Sequence, residues 1–206
     1  MSRRLRVLTA LLIVVFALQL NSCEQKQQPK SFEEYVVRGE LLTQGGDPNK
    51  AIENFRKALK INPNSANVYY LWGNTLQSQG RADESIEKYR KALEFEPKLV
   101  SAHFGWATSL QHQGKQAEAA EKYKEAAELD PQSAPQIYFE WGNLLRSQGK
   151  LDDAIERYRK MAELDPKSFV AYKFWGDTLK QQGKQEEGEK MLRKASEFDP
   201  TIHRNR

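Results

Sequence analysis

The sequence predicts an all-α chain: a linear α-solenoid of five helix-turn-helix units. Three observations predict it. The stretch YLWGNTLQSQGR at residues 70–81 returns as FGWATSLQHQGK at 104–115, YFEWGNLLRSQGK at 138–150 and KFWGDTLKQQGK at 173–184. The small residue after each Trp falls at 73, 107, 142 and 176, and Gly39 holds the same place in an earlier copy, EYVVRGELLTQGGD, giving steps of 34, 34, 35 and 34. Pro63, Pro97, Pro131, Pro166 and Pro200 keep those steps. A fixed period in this range marks a repeat array.

The first element, residues 1–22, reads as a secretory signal. MSRRLR is basic, and the 14 residues from Val7 to Leu20 are apolar apart from Thr9 and Gln19. A membrane-spanning helix requires about 20 such residues. Leu20-Asn21-Ser22-Cys23 resembles a bacterial lipobox, with Leu20 three residues ahead of the cysteine and the small Ser22 directly before it. Asn21 departs from the usual small or apolar residue. The resemblance implies that Cys23 becomes the lipidated first residue of the mature chain, with a polar tether through residue 31. An extended tether of this kind spans roughly 25 Å. An uncleaved N-terminal signal anchor is the alternative. Arg3-Arg4 is similar to a twin-arginine signal, but Arg6 breaks that pattern.

The five copies begin at Phe32, Ala66, Val100, Pro135 and Phe169. They define repeats at 32–65, 66–99, 100–133, 135–168 and 169–202, with a tail at 203–206. Counting slots from the first residue of each copy, slots 4, 7, 8 and 11 are bulky, bulky, small and Leu. These are Tyr69, Trp72, Gly73 and Leu76 in the second copy and Tyr138, Trp141, Gly142 and Leu145 in the fourth. Spacings of three and four place them on one helix face. Slot 15 is Gly46, Gly80, Gly114, Gly149 or Gly183, a natural helix end. A second helix follows, with Ser85, Tyr89 and Ala92 inward in the second copy and Ala154, Tyr158 and Met161 in the fourth. Proline then stops it. Ser65, Ser133 and Ser168 are expected N-caps, and Ser31 with Glu34 forms a capping box that opens the array.

This pattern resembles the tetratricopeptide repeat (TPR), and the resemblance covers residues 32 to about 202. It implies a right-handed superhelix of helix pairs with a concave groove, departing from the common form of the family in placing the large aromatic at slot 7. Gly or Ala at slot 8 is expected to admit the paired helix closely. The row Trp72, Trp106, Trp141 and Trp175 is expected to fill the space between helices as core.

Other functions find little support. The formal charge is +4, and residues 1–22 hold Arg3, Arg4 and Arg6 with no acid, which leaves +1 on the remainder. That is no footprint for nucleic acid. His103 takes a packing slot, and His112 and His203 stand apart from it and from each other, so no metal site is expected. The pairs Glu33-Glu34, Asp152-Asp153 and Glu186-Glu187 sit at helix starts, where negative charge suits the dipole. With no nucleophile motif and no phosphate-binding glycine loop, the chain is expected to be neither an enzyme nor a cofactor binder.

Slots 2, 5, 9 and 12 lie about 140° from the packed face at 100° per residue. In TPR proteins these slots line the groove. Slot 5 reads Val36, Tyr70, Phe104, Phe139 and Lys173, and slot 9 reads Glu40, Asn74, Thr108, Asn143 and Asp177. The expected partner-binding residues are Tyr70, Asn74, Phe104, Thr108, Phe139, Asn143 and Lys173. Aromatic rings offer apolar contact area, and amides hydrogen-bond an extended peptide backbone. The dicarboxylate clamp of chaperone-binding TPRs is not matched: Asn74 fits it, but Tyr70, Gly105, Gln136 and Glu140 do not.

The expectation is therefore a membrane-tethered scaffold outside the cytoplasm, holding a protein or peptide and similar to bacterial TPR lipoproteins that assist envelope assembly. The alternative is a homo-oligomer stacking end to end through its last repeat. There Gly188, Glu189 and Met191 are set against Ala154, Ile155 and Tyr158 of the fourth, changes that also suit a polar cap.

Overall fold

The computed structural model describes residues 31–132 and 134–199. Regular structure among the described residues is entirely α-helical: α1 (Phe32–Gln44), α2 (Pro48–Ile61), α3 (Ala66–Ser78), α4 (Ala82–Phe95), α5 (Val100–His112), α6 (Gln116–Leu129), α7 (Pro135–Ser147), α8 (Leu151–Leu164), α9 (Phe169–Gln181) and α10 (Gln185–Glu197). The chain divides after Pro63 into two compact units. The first holds the α1–α2 hairpin. In the second, four hairpins stack in sequence order, each helix packed on the one before it, and α3 also touches α5. This is an all-α solenoid.

Local signals place these helices. Every first helix begins at the first residue of its repeat. The Ser31 hydroxyl accepts from Glu34 N at 3.2 Å, and Ser31 N donates to Glu34 Oε2 at 3.2 Å, which closes the capping box. Ser65 and Ser168 cap α3 and α9. The fourth repeat departs from expectation: Ala134 stands at the N-cap of α7 with no side-chain bond, and Ser133 lies outside the described residues. The 35-residue step inserts Ala134 there, and Pro135 at the first helical position supplies a φ already suited to the helix. The glycines at slot 15 all have positive φ, from 72° to 86°, so the turn between paired helices takes a conformation other residues resist.

The centre of each of the first four hairpins is the aromatic of its second helix. Tyr89, Tyr123 and Tyr158 are fully buried, as is Phe55 in the first unit. A Cβ on Gly73 would stand 2.6 Å from the Tyr89 ring, and one on Gly105 of the next repeat would also stand 2.6 Å from it. Tyr89 is thus wedged between two glycines. Gly142 faces Tyr158 and Gly39 faces Phe55 in the same way. Burial of each such ring contributes about 3 kcal/mol.

The tryptophans are not the centre. All four are half-buried. A cation from the paired helix covers three of them: Lys88 Nζ 4.3 Å from the Trp72 ring centroid, Lys122 Nζ 4.5 Å from Trp106 and the Arg157 guanidinium 4.2 Å from Trp141. The indole N–H groups of Trp106 and Trp141 are buried and meet no acceptor among the described residues. At Trp72 and Trp141 the following glycine brings the second helix so near that its tyrosine takes the middle, and the larger indole is displaced to the flank. In the last repeat Leu192, and not Met191, holds the place of Tyr158. Its Cγ would lie 2.9 Å from a Cβ on Gly176.

Neighbouring repeats are joined by recurring polar ties. Ser85 Oγ lies 2.8 Å from Ser109 Oγ in a buried pair. Gln113 Nε2 donates to Asp83 Oδ1 at 2.7 Å, and Gln182 Nε2 donates to Asp152 Oδ1 at 2.8 Å. Gln148 is the in-phase residue of the fourth repeat. Its partner position in the third is Ala117, and the Gln148 amide nitrogen is buried with no acceptor among the described residues.

Candidate peptide-binding groove

The first helices α3, α5 and α7 form one wall of the second unit. Between them lies a cavity of about 510 Å³ lined by Tyr70, Asn74, Phe104 and Thr108 together with Gln111 and Glu140. Four of the seven sequence-predicted site residues therefore share one cavity. Phe139, Asn143 and Lys173 do not line it. Phe139 turns edge-on to Phe174, with centroids 4.9 Å apart. Lys173 Nζ lies 3.1 Å from Asp177 Oδ2 and 5.1 Å from the Phe174 centroid. The row of three aromatics thus resolves into two cavity walls, Tyr70 and Phe104, and a separate Phe139–Phe174 contact.

The floor of the groove is built from the core. Tyr89 OH donates to Asn74 Oδ1 at 2.8 Å and lies 3.1 Å from Gln77 Oε1. Tyr123 OH donates to Gln111 Oε1 at 2.9 Å, and Tyr158 OH to Asn143 Oδ1 at 2.8 Å. A buried phenol requires an acceptor, and the amide oxygens at slots 9 and 12 provide it. Burial pushes the phenols of Tyr123 and Tyr158 up to about 12, and raises that of Tyr89 further. With their oxygens committed, the amides of Asn74 and Gln111 offer a ligand their N–H groups, which suit peptide carbonyls.

The wall aromatics serve both ligand space and packing. The Phe104 ring lies 5.8 Å from Tyr123, and the Tyr70 ring 6.2 Å from Tyr89, so each half-buried ring covers a core tyrosine. Gln111 and Phe174 are not among the sequence-predicted site residues, and Gln136 and Glu140 stand out in the sequence only as positions that a basic clamp would need. The slot frame contains the signal for Gln111: slot 12 faces the groove, and the residue lies 12 before the tyrosine it caps.

No group of three or more metal-ligating side chains occurs among the described residues. His103 Nε2 lies 2.9 Å from the Pro97 carbonyl and Nδ1 3.0 Å from Glu125 Oε2, a structural arrangement at a repeat junction. No described helix is long and apolar enough to cross a membrane. Cys23, the lipobox and the tether lie outside the described residues.

A stack of helical hairpins with an amide- and aromatic-lined groove defines a helical-repeat scaffold. Tetratricopeptide-repeat models match residues 39–80, 70–134, 135–168 and 175–202. Together they span most of the chain, which belongs to the tetratricopeptide-repeat family. No curated protein is a significant match. Among solved structures, MamA is similar with a TM-score of 0.73 at 24% identity, over 81% of this chain and 96% of that one. A segment of MamA from Desulfovibrio magneticus RS-1 gives 0.71 at 16% identity, over 82% and 96%. YrrB, described as a TPR protein with an unusual peptide-binding site, gives 0.65 at 24% identity, over 89% and 93%. At these identities the likeness establishes the fold.

Proposed function

We propose that this chain is a membrane-tethered scaffold that holds a protein or peptide segment in the groove of its second to fourth repeats, outside the cytoplasm, and assists assembly of an envelope complex. The observation that carries the reading is the cavity whose walls are Tyr70 and Phe104 and whose floor amides have their oxygens engaged by Tyr89 and Tyr123. Apolar walls with N–H donors between them suit an extended chain segment. The peptide-binding site attributed to YrrB supports the same reading. The tether rests on the Leu20–Cys23 motif: Cys23 carries the lipid, and the repeats project from the membrane surface.

Two experiments test the two halves. A photo-reactive residue at position 104, introduced in cells, should capture a discrete protein. Cys23→Ser should leave an unprocessed precursor and abolish labelling with a fatty-acid analogue. Unchanged labelling would end the lipoprotein reading and favour the uncleaved anchor. The competing proposal, end-to-end stacking through the last repeat, fares worse. Glu186, Glu187, Glu189, Lys190 and Arg193 of α10 are all exposed, which is the polar face of a cap.

A further inference from the structure

The groove carries a carboxylate with no ion-pair partner among the described residues. Glu140 is the one carboxylate lining the cavity, and no lysine or arginine lines it. The side chain is half-buried. Its hydrogen-bond partner is Gln136, whose Nε2 donates to Glu140 Oε1 at 2.9 Å. Among the described residues no cation lies within ion-pair distance of it. Some exposed carboxylates, Glu84, Glu87 and Glu94 among them, have a cationic partner three residues away in the chain; what sets Glu140 apart is its half-buried place in the cavity wall. Surface pairs of that kind contribute little, but a carboxylate in a partly desolvated cavity gains more from a cation that arrives with a ligand.

We propose, building on the groove reading, that the bound polypeptide presents a lysine or arginine side chain to Glu140, next to an apolar side chain seated between Tyr70 and Phe104. The division of labour follows from the chemistry of the lining. The rings take the apolar side chain. The N–H groups of Asn74 and Gln111, whose oxygens already accept from Tyr89 and Tyr123, take main-chain carbonyls. Glu140 takes the cation and rejects an acidic residue at the same place, because no lysine or arginine lines the cavity to relieve a second negative charge. The groove is thus selective for basic-apolar segments and against acidic tails.

The test uses the full chain in detergent and a displayed pool of random decapeptides, with circular dichroism to show that each variant keeps its helicity. The selected peptides should be enriched in Lys or Arg. In a selected peptide, replacing the basic residue with norleucine should weaken binding about tenfold on the parent protein and leave affinity for Glu140→Gln nearly unchanged, the coupling expected of a direct pair. Phe104→Ala should weaken binding of both peptides about thirtyfold or more. If Phe104→Ala weakens binding but the norleucine replacement costs the same on parent and Glu140→Gln, the groove stands and the role of Glu140 is overturned. A pool without basic enrichment overturns it as well. Binding that survives both Phe104→Ala and Glu140→Gln overturns the groove itself, and a pool that yields no binder overturns both.

Discussion

Gln113 of the third repeat donates a 2.7 Å hydrogen bond to Asp83 of the second, thirty residues earlier in the chain. The same pair recurs between Gln182 and Asp152, and within the second unit it is missing where Ala117 stands opposite Gln148. That junction also carries the 35-residue step and a cavity of about 420 Å³ lined by Trp141, Tyr138 and Arg157 among others. The third-to-fourth junction is therefore the least tied of the second unit.

Restoring the missing partner should strengthen it. Ala117→Asp gives the Gln148 amide an acceptor and should raise stability by about 0.5–1.5 kcal/mol, the usual worth of such a bond. Asp83→Ala should lower it by a similar amount. Urea unfolding of the pair measures both. A destabilised Ala117→Asp protein would show that the junction is held apart for another reason.

The core prediction concerns order of effect. Tyr158 is fully buried and Trp141 only half-buried, so Tyr158→Ala should cost about 3–5 kcal/mol and Trp141→Ala about 2–3. Gly142→Ala should be destabilising by about 1–3 kcal/mol, although alanine favours helix, since its Cβ would stand 2.7 Å from the Tyr158 ring. Thermal unfolding ranks the three. Trp141→Ala proving costlier than Tyr158→Ala would return the tryptophans to the centre of the repeat.

Much of this frame is legible in the sequence. The period, the helix starts, the slot-15 glycines and three of the four serine caps, Ser31, Ser65 and Ser168, follow from spacing and local chemistry. The place of tryptophan does not. Slots 7 and 8 lie on the same face, and face alone cannot say that the gap opened by Gly73 and Gly142 is filled from the opposite helix. The groove is legible in part for a similar reason. Slot 5 lines it in the second and third copies, yet in the fourth Phe139 is drawn away by Phe174, which sits at slot 6 of the following repeat and is visible only once two first helices are side by side.

The buried phenols give a pH dependence with a defined sign. An unfolded tyrosine ionises near 10, while Tyr123 and Tyr158 in the fold ionise near 12 because burial disfavours the phenolate. The folded chain then holds more protons than the unfolded chain above pH 10. Stability should be full below pH 10 and fall as pH rises toward 12. Urea midpoints at pH 9, 10 and 11 should decline over the last interval, and Tyr158→Phe should soften the decline. A flat profile through pH 12 would place these hydroxyls in water.

The most direct test of the account is the effect of one wall residue on binding and stability together. Phe104 is half-buried against Tyr123, so Phe104→Ala should cost about 1–2 kcal/mol in unfolding, well below a core truncation. The same change should weaken the captured partner by about 2 kcal/mol or more, roughly thirtyfold by calorimetry, while Lys91→Ala on the exposed face of α4 leaves affinity unchanged. Parental affinity in a folded Phe104→Ala protein would contradict the account and move the binding surface away from this groove.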